Sequence, residues 1–153
     1  MTVLTVRVTG RLNAAAVTQA GLRDVVSRWV GATLLYGERR LRLLVPKDTS
    51  AAARSFVSQQ RGLVGSVHSP LAYVTVLDQG RRPGARQPPT QALAGWARRH
   101  GFEGSLFVLA RAIGRRGIPA KRFFDQAQQD TQAYVPQLLR QTVRDVGRLW
   151  SGG

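Results

Sequence analysis

The chain contains no cysteine in 153 residues, so neither a disulfide framework nor a thiolate metal site is open to it. Histidine is scarce. His68 and His100 are the only two and lie too far apart in sequence to suggest a metal pair. The eight acidic residues form no Asp-x-Asp or Glu-x-x-His arrangement. There is no Gly-x-Ser-x-Gly, no P-loop and no Rossmann glycine pattern. His68 stands beside Ser66 and Ser69, where a Ser–His pair is conceivable, but it reads as a half-exposed strand histidine. His100 reads as a residue at a helix C-terminus. No catalytic, metal or cofactor-binding residue is nominated, no cofactor is expected, and the expected class is not an enzyme. No apolar run approaches the roughly 18 residues of a membrane span. MTVLTVRVTG, the first stretch, alternates like a strand and lacks the apolar run of a signal peptide. The expectation is a soluble intracellular product with no membrane contact. No internal repeat is visible.

Positive charge is abundant. The chain has 23 basic and 8 acidic residues, a net +15, and a pI near 11.9. Lys47 and Lys121 are the only lysines, so arginine dominates. A GC-rich genome produces such a bias by itself. The functional reading is contact with nucleic acid or with an acidic partner. The charge is spread along the chain in doublets such as Arg39-Arg40, Arg81-Arg82, Arg98-Arg99 and Arg115-Arg116, with no basic tail.

With 43% hydrophobic residues, a chain of this length suits a single domain, 1–153, with a real core. Thr2–Thr9 alternates as a strand, with Leu4, Val6 and Val8 on one face. From Asn13 to about Val45 the period is helical, carried by Leu22, Val25, Val26, Trp29 and Val30. Gly31 and Gly37 make a kink or break there plausible, and Pro46 stops the helix. Asp48-Thr49-Ser50 can cap a short turn at Ala51–Arg54. Ser55–Gln60, Leu63–His68 and Ala72–Leu77 read as three strands of an antiparallel meander. QGRRPGARQPP, 79–89, reads as an exposed loop long enough to reach a neighbour. Thr90 is placed to cap a helix over Gln91–His100, and Ser105 a second over Leu106–Arg115. Leu93, Trp96 and Ala97 form the expected inner face of the first, and Leu109, Ala112 and Ile113 that of the second. A last helix carries Val135, Leu138, Leu139, Thr142, Val143, Val146, Leu149 and Trp150. Pro136 either restricts its start to about residue 133 or kinks a longer helix.

Two stretches invite a functional reading. Residues 90–117, TQALAGWARRHGFEGSLFVLARAIGRRG, have the layout of a helix-turn-helix DNA reader. Against it, the second helix opens with Ser105-Leu106-Phe107-Val108, apolar where base edges call for Arg, Asn or Gln. In RGIPAKRFFDQA, 116–127, Phe123 and Phe124 are adjacent. Neighbours on a helix point about 100° apart, so both cannot face one narrow stripe. Either one ring is buried and its neighbour anchors a partner, or both fill a gap where the last helix crosses the sheet.

The order of several short motifs resembles small neck and tail-completion proteins of long-tailed double-stranded-DNA bacteriophages, over about residues 12 to 150. VPKDTSAAARSF (45–56) is similar to that family's Pro-x-Asp-Thr-Gly, Leu-Arg, Ser-Ile signature. Pro46, Asp48 and Thr49 match; Ser50 and Phe56 stand where Gly and Ile are usual. SPLAYVTVLDQGRRPG (69–84) resembles its Tyr-Ala-x-x-Val-Glu-x-Gly-Thr segment through Tyr73, Val76 and Gly80, with Asp78 in place of Glu. PPTQALAGWARRHGF (88–102) is similar to an inserted helix seen in part of the family. ARAIGRRGIPAKRFFDQA (110–127) resembles its Arg-x-Ile, Gly-x-Pro-Ala-Arg-Pro-Phe-Phe motif, with Lys121 in the Arg slot and Arg122 in place of Pro.

The resemblance implies an α+β fold: a small, mainly antiparallel sheet packed by a long N-terminal and a C-terminal helix, with an inserted helical hairpin at about 90–116. It implies a ring, hexameric by preference or dodecameric, around the DNA channel of the virion, built from chains made in the host cytoplasm. The ring would join a head-side connector of the portal complex to the tail tube or tail terminator. Tyr73, Asp78, Lys121, Arg122, Phe123 and Phe124 become the expected oligomer or partner interface. Arg81, Arg82, Arg86, Arg98 and Arg99 become the expected contacts to packaged DNA or acidic partners. Six chains at +15 each would gather +90, so something anionic must adjoin such a ring.

Overall fold

The computed structural model describes residues 2–7, 19–48 and 50–151. Val8, Thr9, residues 13–18 and Thr49 lie outside them, as do the side chains of Arg7, Leu22, Val146, Leu149 and Trp150. The fold is α+β: six helices and one three-stranded antiparallel sheet among the described residues. The chain forms two compact units, Met1–Ala72 with Phe123–Gly153, and Tyr73–Arg122.

In the first unit, β1 (Val3–Arg7) leads to α1 (Gln19–Leu44), α2 (Ala51–Arg54), β2 (Val57–Arg61) and β3 (Val64–His68). The unit closes with α6 (Phe123–Ser151). The sheet order is β1-β3-β2, with Leu4 opposite Val67 and Thr5 opposite Ser66. Alternation works as read for β1: Leu4 is buried and Thr5 is exposed. Arg61 pairs with Val64, so Gly62-Leu63 is a two-residue hairpin turn.

α1 runs unbroken through Gly31 and Gly37, because both glycines are used for close approach rather than for bending. A Cβ on Gly37 would lie 3.3 Å from Leu4 of β1 and 3.4 Å from Thr131 of α6. Leu34 of α1 in turn fills the space over Gly65 of β3, where a Cβ would stand 2.8 Å from its Cγ. Val30, Leu34, Leu41 and Val45 form the buried stripe of α1 and its exit. Thr33 and Thr131 are buried polar residues at the same seam; their hydroxyls donate to the Trp29 and Ala127 carbonyls at 2.8 and 2.6 Å. Tyr36 stacks on Tyr134 at 4.3 Å, and Arg40 donates to Asp130 at 2.9 Å, joining α1 to α6. That hydrogen bond raises the Arg40 pKa above its usual value.

Several expectations are corrected. Ala72–Leu77 is not a strand; α3 spans Ala72–Gln79. Val74, Thr75 and Val76 are β-branched, but the Ser69 hydroxyl accepts from the Leu71 amide at 3.2 Å just before the helix starts. Val74 and Asp78, four apart, are its buried positions. The third strand of the sheet is β1. Ser50 precedes α2 at φ 59° and makes no side-chain cap. Thr90 does not cap α4 (Thr90–Arg99) but is its first helical residue, after Pro89. Pro136 lies inside α6, which begins thirteen residues before it, so the longer helix is the one formed.

The second unit contains most of α3, a connection, α4 and α5 (Leu106–Arg116). The hairpin expected at about 90–116 lies within it. Ser105 precedes α5 without a side-chain cap, and Gly117 ends it at φ 74°.

Candidate interaction surfaces

The connection after α3 is a mostly exposed loop over 79–89, as read, and it is also stitched down by backbone hydrogen bonds. Arg81 and Ile118 exchange two backbone hydrogen bonds at 2.8 Å, and the Gly84 amide donates to Gly114 at 2.8 Å. Gly80 and Gly117 sit at φ 73° and 74°, where a Cβ would strike the facing strand: Gly80 against Ala120 N at 2.6 Å, Gly117 against Pro83 N at 2.9 Å. The amides of Lys121 and Arg122 donate to Leu77 and Asp78 at 3.1 and 3.0 Å, satisfying carbonyls that the end of α3 leaves without helical partners.

The nominated arginines separate into two sorts. Arg82, Arg86, Arg98 and Arg99 are exposed. Arg81 is half-buried: its Nη2 donates to the Arg86 carbonyl, and its Nε is buried without a hydrogen-bond partner. Arg81 therefore holds the connection together and is not presented as a surface cation.

The nominated interface residues are split likewise. Tyr73, Lys121 and Arg122 are exposed. Asp78 is buried and unavailable to a partner. Phe123 and Phe124 are only 2% and 4% exposed, so the reading that puts one ring outward is corrected. At the first turn of α6 both rings reach the core. They lie 5.3 Å apart, and Phe124 meets Phe56 edge-on at 5.9 Å.

His68 is half-buried on β3, and the Ser69 hydroxyl is engaged with Ser55 at 2.7 Å. His100 is the residue that ends α4, and its ring stacks on Trp96 at 4.7 Å. Among the described residues no three His, Cys, Asp or Glu side chains converge as a metal-ion cluster. Two open clefts lie in the first unit. One, about 300 Å³, is lined by Tyr36, Arg40, Asp130, Ala133 and Tyr134. The other, about 200 Å³, includes Trp29, Thr33, Thr131 and Gln132, and the Trp29 indole N–H is buried without a partner.

What the sequence reading passed over is the tip of the α4–α5 hairpin. Trp96, nominated as an inner residue, is 40% exposed, and Phe102 lies beside it with ring centres 6.4 Å apart. Phe107 and Val108 are 59% and 62% exposed. The signal was present: four apolar or small residues in a row at a helix start cannot all turn inward at 100° steps. The first unit has its own bare apolar positions, Leu35 and Leu43 on α1, Leu139 and Val143 on α6, and Val3, Val57 and Val64 on the sheet. No family model, curated protein or solved structure matches the chain.

Proposed function

We propose that the chain is a structural joining subunit of a long-tailed phage virion, a neck or tail-completion protein that assembles into a ring, hexameric by preference. One face of the ring meets a head-side connector, the other the tail tube or tail terminator, and the bore surrounds the DNA. The observation that carries this reading is the sheet. Its two outer strands, β1 and β2, each pair only with β3 among the described residues. Both run antiparallel to β3, so they are parallel to each other but different in sequence. A ring requires such a pair of unlike, complementary surfaces on every protomer. Edge strands that carry neither proline nor lysine are ready to accept a further strand. The motif order described above supplies the biological setting.

A helix-turn-helix reader is the less supported alternative. α4 and α5 form a hairpin, but the exposed first turn of α5 offers Phe107 and Val108 where base edges need hydrogen-bond donors and acceptors.

The test is stoichiometry in the particle. Quantitative mass spectrometry of purified virions should find the chain in ring copy number, and mass photometry with its connector present should find a closed oligomer. Val57→Lys with Gln59→Lys, both exposed on β2, should abolish the oligomer without changing the melting temperature. Gln137→Lys with Gln141→Lys, which adds the same charge on α6, should leave it intact. Absence from particles, together with a shift of one defined duplex at moderate salt, would replace the joining role by the regulatory one.

A further inference from the structure

The second unit is the more strongly basic part of the chain for its size. Tyr73–Arg122 holds ten basic and two acidic residues, a net +8 in fifty residues. Nine of the ten are arginine. On α5, Phe107, Val108, Arg111 and Arg115 are all exposed. At 100° per residue these four fall within an arc of about 100°. They make a single bare stripe, apolar at the start of the helix and cationic toward its end. Trp96 and Phe102 add two partly exposed rings at the same tip, and Phe102 packs beside Gly104, where a Cβ would stand 2.7 Å from its Cζ. Glu103 is the one acid of the hairpin.

We infer that this stripe is a docking site for an acidic amphipathic helix of a partner protein, which lies along α5 and completes a three-helix arrangement. The inference rests on the joining role for its biological setting; its physics stands on the hairpin alone. Charge complementarity decides the sign of the partner, because the stripe ends in Arg111 and Arg115 and lies in a unit of net +8. The side-chain types decide its class. Aromatic residues and arginine are the groups that anchor protein interfaces, and arginine is the cation most readily desolvated there. Nucleic acid fits less well. Phosphates would satisfy Arg111 and Arg115 but leave Val108 with nothing to bury against. Single-strand binding stacks successive bases on several ring faces, and Trp96 already stacks on His100, which leaves Phe107 as the most exposed ring of the tip. A partner helix with Leu or Phe at i, i+3, i+4 and i+7, flanked by Glu, meets both halves of the stripe.

The probe is a fluorescein-labelled synthetic helix of that pattern, about 18 residues long, titrated with the full chain and followed by anisotropy. Its scrambled isomer, a single-stranded oligothymidylate and a random-sequence duplex are the comparison ligands. Binding of the patterned peptide should exceed that of its scrambled isomer, and should weaken by roughly tenfold or more in Phe107→Ser with Val108→Ser. Arg111→Gln with Arg115→Gln should weaken it several-fold. Raising NaCl from about 0.05 to about 0.3 M should weaken the peptide only several-fold, whereas phosphate-driven binding would fall by orders of magnitude. All four positions are exposed, so an unchanged circular-dichroism melt certifies the fold of each variant. Equal binding of patterned and scrambled peptide, no binding, or tighter binding of either DNA that the Phe107 and Val108 changes leave untouched would overturn the inference. A chain that forms rings yet ignores the peptide loses this docking site and keeps the joining role. One that binds the peptide but is absent from particles keeps the site and loses the role.

Discussion

At the scale of single residues, a missing side chain is as consequential as a present one. Gly65 leaves a hole in β3 that Leu34 of α1 enters, so the two positions share one volume. Gly65→Ala should cost about 1–3 kcal/mol in urea unfolding, since the added carbon overpacks a filled site. Adding Leu34→Ala should make the double variant less destabilised than the sum of the two single changes, because each relieves the strain or void created by the other. Phe123 and Phe124 belong to the same ledger of volume. Phe124→Ala should lower stability by about 3–5 kcal/mol, through loss of its contacts with Phe56 and Phe123. If Phe124 were instead a partner anchor, the same change would spare the monomer melt and impair only assembly.

At the scale of elements, helices α4 and α6 start where local chemistry, not periodicity, places them. Pro89 fits immediately before α4, so Thr90 becomes helical. Pro136 sits exposed inside α6, where it has no amide to donate to the turn before it. Pro136→Ala should therefore raise stability, by about 1–3 kcal/mol, measured as a higher thermal midpoint. Gly117→Ala should loosen the junction between α5 and the connection after α3. Its measurable sign is faster amide exchange at Arg81, Gly84 and Ile118, with the first unit unaffected. The parts of the fold legible in the sequence were those with a long period and one buried face. β1 alternated because Leu4 faces the helices, and α1 was legible through Val25, Val26, Trp29 and Val30, of which Val30 is buried, whereas the buried Leu34 and Leu41 further along went unnamed. Ala72–Leu77 reads as a strand because Val74-Thr75-Val76 favours one locally, while the burial of Val74 and Asp78 on one helical face acts through the tertiary structure. The surface at the hairpin tip was only half legible. Its arginines announced themselves by charge, but Trp96 looked like a core residue because it shares a helical face with Leu93 and Ala97, yet it is 40% exposed.

At the scale of the whole molecule, charge of one sign governs behaviour. The 23 cations outnumber the eight acids by 15. Replacing Arg82 and Arg86 by Gln removes two exposed cations and leaves the inner Arg81 bracing intact. The melting temperature should hold, while under the proposed joining role the yield of infectious particles or the retention of their DNA should fall. Particles as numerous and infectious as the parent's would remove these two arginines from any anionic contact. The same charge predicts that self-association of the free chain strengthens as salt rises, since repulsion between copies is screened over about 10 Å at 0.1 M.

The backbone bonds from Lys121 and Arg122 to the end of α3 bring the entry and exit of the second unit side by side. An inserted segment whose doorway is already shut makes few demands on the chain around it. Such a cassette can be lengthened, trimmed or exchanged wholesale, and on the docking role inferred for it that would change the binding partner without redesigning the scaffold that carries it.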